Sequence, residues 1–437
     1  MTDGEITVRA WFADYPFSTY DGQEFLAPVR KRAEEFARAH PGYRVEIESH
    51  PFWEMPPAVA RAAARGEAPH LAGYYAADSQ HARDAVDASG RPLFTSVEQA
   101  VAGRTEILGE PVVLGDLVPA VRDFHTRDGE LFSVPVTATT VLLYANTTLL
   151  EAAGVDRLPA TWAEVEAACR AVARTAPGTA SHGITWANDG WLFQQAVAQQ
   201  GGLLADHDNG RSGRARSLDL TSAELLAWVE WWQGLHEAGH YLCTGQRSDW
   251  GGAFEAFAGQ RVAFVVDSSK AAEELVRAGE RGGFAVGLGA VPHNPRVPDA
   301  GNFVSGDSLW LADGLDERTR DAALAFTQYL INPRNAGEWH RLNGFVPVTG
   351  AAYDLLVAQG WFDRYPHRRV ASERLAAAHR SPAALGPLVG DLAGIGEVLT
   401  EAMEDVLLRG DKPAERFALA TAAAQRLLDA YEAAHGR

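Results

Sequence analysis

Two short motifs carry residues whose types could bind a metal. Residues 236–240 (HEAGH) match the H-E-x-x-H pattern of zinc proteases, which requires both histidines on one face of a continuous helix. Gly239 occupies a position where glycine commonly ends a helix, so we predict that the helix over 225–238 stops there. His240 would then lie off the His236 face, and we expect no zinc site.

The sequence also lacks a complete calcium loop and the common catalytic motifs. Residues 206–210 (DHDNG) resemble a calcium loop but lack its spacing and its distal bidentate glutamate, which predicts a surface turn. The sequence contains no nucleophile elbow, phosphate-binding loop or dinucleotide fingerprint. We therefore predict a binding protein rather than an enzyme, with neither a metal nor a cofactor.

Length and charge narrow the class of protein further. The 437 residues exceed what one simple core accommodates, so two lobes are expected. The formal net charge of −18 disfavours binding to nucleic acid, which requires a basic surface. A neutral or cationic ligand remains open, whereas an anionic ligand would need a locally positive pocket. No apolar run approaches the roughly 18 residues of a membrane span.

Strands and helices alternate at the start of the chain. Strands are predicted over 5–13, 44–50 and 70–76, with helices over 24–40 and 56–68 between them. This order predicts a parallel sheet. Ligands of such sheets bind beyond the carboxyl ends of the strands. We therefore expect ligand-contacting loops at 11–20, 51–54 and 74–79.

Three extended runs predict that the chain passes repeatedly between two lobes. These runs cover 133–146, 261–267 and 303–312, and no low-complexity linker separates them. The lobes are therefore expected to interleave along the sequence. We predict a first lobe formed by 1–136 plus 268–306 and a second lobe formed by 137–267 plus 307–437.

Several sequence blocks together resemble the family 1 extracellular solute-binding proteins, which serve ABC importers for sugars and glycerol phosphate. The blocks are LLYANTTLLEAAGVDRLPATWAEV (142–165), FEAFAGQRVAFVV (254–266), FVSGDSLW (303–310) and NPRNAGEWHRLNGFVPVTGAAYD (332–354). The resemblance covers nearly the whole chain, and over 332–362 it is strongest to glycerol-3-phosphate-binding members. It implies an α/β, type II periplasmic-binding-protein fold whose two lobes close over a ligand by hinge bending.

This resemblance, together with the positions of tryptophans near loops, predicts the ligand-binding residues. They are Trp53, Tyr74, Tyr75, Asp189, Trp191, Trp250, Ser268, Ser269, Gly306, Asp307 and Phe345. Helix capping is the alternative role for the two serines. Asp307 could instead cap a helix or serve a hinge, and the tryptophans could pack in a core. The tryptophans at 228, 231 and 232 recur at helical spacing and are predicted to be core residues.

Departures from the family pattern argue against glycerol phosphate as the ligand. The arginine that would hold a phosphate falls on Leu388, and Phe345 replaces a tyrosine of the turn. Arginine is the usual donor to phosphate, and Asp189 and Asp307 would repel an anion. Aromatic rings beside carboxylates suit a sugar, which stacks its apolar face and donates its hydroxyls. A cationic aminosugar suits them equally.

The leading prediction is a monomeric carbohydrate-binding protein that serves ABC importer permease subunits. The N-terminus, MTDGEITVRAWF, lacks export-signal features. If a leader has been trimmed, we expect an extracellular or periplasmic protein that a lipid anchor holds at the membrane. If Met1 is the native start, we expect a cytoplasmic relative that acts as an enzyme or carrier in a biosynthetic pathway. A third alternative is a binder of glycerophosphodiesters.

Overall fold

The computed structural model describes residues 4–15, 24–175, 180–378 and 380–436. The chain forms two compact units. The first unit comprises Met1–Ala138 and Ser305–Asp363, and the second comprises Thr139–Val304 and Arg364–Arg437. Each unit therefore contains two separate segments of sequence, as the predicted interleaving requires.

The first segment alternates strands and helices. Its elements are β1 (Ile6–Asp14), α1 (Ala27–Ala39), β2 (Tyr43–Pro51), α2 (Met55–Ala64), β3 (Leu71–Tyr75), α3 (Ser79–Asp84), β4 (Phe94–Thr95), α4 (Val97–Val101), β5 (Glu106–Ile107), β6 (Glu110–Pro111), α5 (Pro119–Phe124), β7 (Thr126–Arg127), β8 (Glu130–Leu131) and β9 (Ser133–Pro135). The helix α1 buries Val29, Ala33 and Phe36, which recur at helical spacing.

The middle segment, from Thr139 to Val304, is richer in helices. Its elements are β10 (Val141–Asn146), α6 (Thr147–Ala152), α7 (Trp162–Thr175), β11 (Ile184–Thr185), α8 (Gly190–Gln199), α9 (Asp206–Gly210), α10 (Ala223–Glu237), α11 (Trp250–Ala258), β12 (Phe264–Ser268), α12 (Ala272–Gly282) and β13 (Val286–Gly289). A capping box starts α7, because the Thr161 hydroxyl accepts from the Glu164 N–H and the Glu164 carboxylate accepts from the Thr161 N–H.

The last segment begins with one strand and is otherwise helical. Its elements are β14 (Asp307–Ala312), α13 (Glu317–Ile331), α14 (Pro333–Asn343), α15 (Gly350–Ala358), α16 (Trp361–Arg364), α17 (Val370–Ala377), α18 (Pro382–Leu385), α19 (Leu392–Arg409) and α20 (Pro413–His435). Gly344 ends α14 at a φ of 71°, so the stretch 332–354 is a helix, a turn and a second helix start.

The sheet of the first unit brings four strand ends to one edge. Its order is β2-β1-β3-β14-β4, and β9 also pairs with β14. The strand β1 is parallel to both β2 and β3, which confirms the predicted parallel sheet. The strand β14 is antiparallel to β3, with Asp307 opposite Tyr75. The carboxyl ends of β1, β2 and β3 and the amino end of β14 therefore lie at the same edge.

The second unit is built on a sheet of order β11-β12-β10-β13. Every residue of its central strand β10 is buried. Beside this sheet, Trp186 packs against Trp228 and Trp232 of α10, with ring centroids 5.2 and 5.1 Å apart. Trp231 stacks on Trp162 at 4.9 Å. The tryptophans of α10 are therefore packing residues, as their helical spacing predicts.

Strand pairing corrects the predicted boundaries of the two lobes. The prediction placed 268–306 in the first lobe, but β13 pairs with β10 and keeps residues up to Val304 in the second unit. It placed 307–437 in the second lobe, but β14 pairs with β3 and keeps residues up to Asp363 in the first unit. The extended run 133–146 is likewise divided between β9 and β10. Local hydrophobic pattern predicts strands but does not identify their partners.

The two metal-like motifs have structural roles. The helix α10 ends at Glu237, and Gly239 has a φ of 69°, as predicted for this helix end. In α9 the backbone is left-handed at 207–209, and the Asn209 side chain accepts from the Leu204 and Ala205 N–H groups at 2.7 and 3.1 Å. Within the described ranges, no group of three His, Cys, Asp or Glu side chains is arranged to hold a metal ion. Nor does any helix in those ranges combine the length and apolar content of a membrane span.

Candidate functional site

Aromatic side chains gather at the strand ends of the first unit. Tyr15 follows β1, Phe52 and Trp53 form a 3-10 turn after β2, and Tyr75 ends β3. The Phe52 ring lies 5.1 Å from Tyr15, 5.0 Å from Trp53 and 5.7 Å from Tyr75. We call these four residues the first aromatic cluster. They occupy the sheet edge where ligands of open parallel sheets bind, and Trp53 is 51% exposed.

Asp307 fixes the position of Tyr15 in the first aromatic cluster. Its carboxylate accepts from the Tyr15 hydroxyl at 2.6 Å and from the Thr137 hydroxyl at 3.1 Å. Burial, with the neighbouring Asp307 charge, raises the pKa of Tyr15 well above its usual value, so the phenol stays protonated and donates. Ser305 similarly donates to the Tyr75 hydroxyl at 3.1 Å. Asp307 is 6% exposed, so the geometry gives it a positioning role.

Burial corrects the prediction for Tyr74. This ring is 1% exposed and packs against Phe94 and Trp310 at 5.9 and 6.4 Å. Burial also raises the pKa of its hydroxyl above the usual value. Tyr74 and Tyr75 are neighbours on β3 and point to opposite faces of the sheet, so only Tyr75 joins the first aromatic cluster.

Gly306 is a site of close backbone approach. Its φ is 140°, and a β-carbon there would lie 2.8 Å from the Thr137 carbonyl carbon and closer still to the oxygen. This approach lets the N–H of Val136 donate to the Asp307 carbonyl at 2.9 Å. Glycine is therefore needed here for the path of the backbone, and the ligand contact predicted for Gly306 stays a prediction.

Phe345 lies behind the first aromatic cluster. Its ring is 5% exposed, stacks on Trp339 at 6.1 Å and meets Phe25 edge-on at 5.9 Å. Phe25 in turn contacts Tyr15 at 5.1 Å. The predicted direct contact is therefore corrected to support from behind. An apolar ring suits this position, because a buried hydroxyl would require a hydrogen-bond partner.

A second group of aromatic rings surrounds Asp189 in the second unit. Asp189 caps α8, and its carboxylate accepts from the Trp191 N–H at 2.9 Å and from the Trp250 indole N–H at 3.3 Å. The Trp191 ring lies 5.9 Å from both Trp250 and Phe303. We call Trp191, Trp250 and Phe303 the second aromatic cluster. Phe303 is buried, whereas Asp189 and both tryptophans are partly exposed.

A glycine contact fixes the start of α8 and hence this second cluster. A β-carbon on Gly190 would lie 2.6 Å from the α-carbon of Gly396, which belongs to α19. The absence of a side chain at residue 190 therefore lets α8 begin directly against α19. Asp189 and Trp191, on either side of Gly190, take their positions from this contact.

The two serines after β12 serve the backbone. The Ser268 hydroxyl accepts from the Lys270 N–H at 3.2 Å and caps the turn that leads into α12. Ser269 is 3% exposed, and its hydroxyl accepts from the Thr140 N–H at 3.2 Å. The capping alternative therefore describes Ser268, and burial corrects the predicted ligand contact of Ser269.

Asp267, next to Ser268, makes stability depend on pH. Burial raises the pKa of this carboxyl to about 7, although the Ser268 N–H donates to it at 2.6 Å. Because the pKa of Asp267 is higher in the folded state than in the unfolded state, its contribution to the free energy of unfolding is complete below the unfolded-state pKa. That contribution is lost as pH rises through 7. We expect wild-type protein to lose about 2 kcal/mol of unfolding free energy relative to Asp267→Asn between pH 5 and pH 7.

Urea denaturation at both pH values measures this difference. Asp316→Asn is the matched control, because hydrogen bonds from Thr319 lower the pKa of Asp316, so its contribution is constant between pH 5 and pH 7 and is lost only at lower pH. Equal pH slopes for wild type and Asp267→Asn would contradict the expected titration of Asp267.

The predicted ligand-contacting loops 11–20 and 51–54 contain Tyr15 and Phe52, although neither was singled out as a site residue. Phe303 was not predicted, because its place beside Trp191 depends on tertiary packing. At the position compared with a phosphate-binding arginine, Leu388 is 4% exposed and its N–H donates to the Asn209 carbonyl at 2.8 Å. That position supplies a buried apolar side chain.

Comparison with known proteins gives one consistent class of relatives. Residues 31–370 match the sequence model of a family described as bacterial extracellular solute-binding protein. The sn-glycerol-3-phosphate-binding periplasmic protein UgpB of Yersinia enterocolitica is 26% identical over 415 residues, which cover 94% of this chain and 91% of that protein.

Solved structures of similar fold cover almost the whole chain. UgpB from Mycobacterium tuberculosis in complex with glycerophosphocholine has a TM-score of 0.73 and 20% identity, covering 98% of this chain and 99% of that one. The sugar-binding protein MalE from Xanthomonas citri has a TM-score of 0.74 and 20% identity, covering 97% and 98%. The GacH receptor of Streptomyces glaucescens has a TM-score of 0.72 and 20% identity, covering 97% and 99%. The predicted type II periplasmic-binding-protein fold is confirmed.

Proposed function

Because the chain belongs to the family of bacterial extracellular solute-binding proteins, we propose that it captures a carbohydrate-type ligand for an ABC importer. The family implies a small-molecule ligand, ABC permease partners and an extracellular or periplasmic location. It also implies binding rather than catalysis. These implications favour the importer role over the predicted cytoplasmic alternative of an enzyme or carrier.

The single observation that carries the proposal is the pairing of aromatic rings with a carboxylate in each unit. In the first unit, Tyr15 donates to Asp307 and packs against Phe52. In the second unit, Trp250 donates to Asp189, and Trp191 packs against Phe303. Sugars present apolar faces that stack on aromatic rings, and hydroxyls that donate to carboxylates. We propose that exposed rings of these clusters stack on a sugar and that the partly exposed Asp189 accepts from its hydroxyls.

Glycerophosphodiesters are the second candidate class. The M. tuberculosis relative is described in complex with glycerophosphocholine, and the Y. enterocolitica relative is named for glycerol 3-phosphate. A phosphate monoester dianion needs several donors, which the buried Leu388 does not supply. A phosphodiester carries less charge and a larger head group, so it depends less on an arginine at that position.

Ligand screening tests the proposal. Purified protein would be examined by thermal shift, then by isothermal titration calorimetry, against neutral sugars and oligosaccharides, aminosugars, glycerol 3-phosphate and glycerophosphodiesters. A ligand at 100 times its Kd stabilises the folded state by about 2.7 kcal/mol, which such a screen detects. We expect a carbohydrate to raise Tm and glycerol 3-phosphate to leave it unchanged. Tight binding of glycerol 3-phosphate alone would refute the proposed ligand class.

A further inference from the structure

We propose that the second aromatic cluster is a subsite for a cationic group of the ligand, an ammonium or quaternary ammonium. This inference rests on the proposed function, because it assigns ligand chemistry to part of the same site. It is carried by Asp189, Trp191 and Trp250, all partly exposed. A partly exposed carboxylate beside two indole rings attracts a cation more strongly than it attracts a neutral hydroxyl.

Two neutral donors fix the Asp189 carboxylate against the indoles. One oxygen accepts from the backbone N–H of Trp191 at 2.9 Å, and the other accepts from the indole N–H of Trp250 at 3.3 Å. Neither donor carries a formal charge, although the N-terminus of α8 offsets part of the carboxylate's charge through the helix dipole. The negative charge is therefore held beside the rings, where a ligand cation would gain from it.

The ring geometry suits a compact cation. The Trp191 and Trp250 centroids are 5.9 Å apart and their planes are inclined by 56°, so the two rings are tilted rather than stacked. A cation within about 6 Å of an indole centroid is attracted by the ring, and tryptophan is the strongest such partner. Phe303 packs on Trp191 at 5.9 Å with its planes inclined by 59°, and it closes the apolar side of the cluster.

Arg247, whose backbone pairs with the residue before Asp189, directs its guanidinium to other carboxylates. Asn188, which precedes Asp189, forms a β-bridge with Arg247. The Arg247 guanidinium lies 3.7 Å from both Glu397 and Glu404. Asp307 of the first unit differs from Asp189, because it is 6% exposed and accepts from two hydroxyls. The cation preference is therefore assigned to the second cluster alone.

Matched ligand pairs test this assignment by isothermal titration calorimetry. Glucosamine is compared with glucose, and glycerophosphocholine with glycerophosphoglycerol, so the two pairs distinguish an aminosugar from a choline-type source. In at least one pair, we expect the cationic member to bind about tenfold tighter or more. Asp189→Asn should remove most of that advantage, because it should lower the affinity of the cationic member more than that of the neutral member. Asparagine is also a good helix cap, so α8 should keep its start.

Two further variants keep the test decisive. Asp316→Asn removes an equivalent capping carboxylate from α13, in the first unit, and should leave the ratio of affinities within each pair unchanged. Trp250→Phe keeps an aromatic ring with a weaker attraction for cations, and should lower the cationic member's affinity more than the neutral member's.

The outcomes separate this inference from the proposed function. If neutral sugars bind and, in both pairs, the cationic member binds equally to or more weakly than the neutral member, the cation subsite is refuted and the carbohydrate proposal stands. An unchanged ratio in both Asp189→Asn and Trp250→Phe would likewise refute the subsite. If no member of the pairs or of the wider screen binds, both proposals fail.

Discussion

Gly306→Ala is expected to lower the free energy of unfolding by about 4 kcal/mol, the sum of backbone strain and overpacking. The φ of 140° is one that residues with a β-carbon rarely adopt. The added carbon would also lie 2.8 Å from the Thr137 carbonyl carbon, which cannot retreat without disturbing the Val136–Asp307 hydrogen bond. Urea denaturation of the ligand-free protein, followed by circular dichroism, measures the loss.

Gly314→Ala is the matched control for backbone conformation. Gly314 also has a positive φ, 71°, but no atom lies within 4 Å of the position of an added β-carbon. It should therefore lose only about 1 kcal/mol, the cost of the left-handed conformation. Similar small losses in both variants would show that the backbone at Thr137 moves easily, and would contradict the close-approach role of Gly306.

Trp191→Ala is expected to weaken binding of the ligand identified by screening about 100-fold, or close to 3 kcal/mol, as for a tryptophan at the centre of a binding site. The ring contacts both Trp250 and Phe303, so its removal opens the second aromatic cluster and exposes apolar surface. Isothermal titration calorimetry measures the change, and the Tm of the free protein reports any loss of folding.

Trp361→Ala provides the comparison for Trp191→Ala. Trp361 begins α16, and its ring lies 5.1 Å from the Arg341 guanidinium, outside either aromatic cluster. This variant removes the same side chain and should leave Kd within about threefold of wild type, as for residues that do not contact a ligand. If Trp191→Ala also stays within that range, the second aromatic cluster does not contact the ligand.

Local sequence patterns predicted the elements that carry the site. Alternating and helical hydrophobic spacing identified β1, α1, β2, α2 and β3, because burial of one face imposes those periods. Glycine chemistry predicted the end of α10 at Gly239. Resemblance across several blocks predicted the family and the fold, and it directed attention to Trp53, Tyr75, Asp189 and Trp191.

The composition of the two clusters depended on contacts that no local pattern contains. Tyr15 and Asp307 meet across a separation of 292 residues, and Asp189 and Trp250 across 61. The pairing of β14 with β3 places Asp307 opposite Tyr75, and it also moves the predicted lobe boundary. The strand propensity of β14 is the same whichever strand it pairs with, so the sequence pattern does not determine this pairing.

By itself, then, the sequence determined the elements, which depend on local period and residue type, and the family, which depends on resemblance across several blocks. Only the tertiary structure decided between adjacent candidates. It buried Tyr74 and left Tyr75 at the sheet edge, and it buried Ser269 while leaving Ser268 as a cap. Successive strand residues face opposite sides, and packing of the rest of the chain decides which side becomes core.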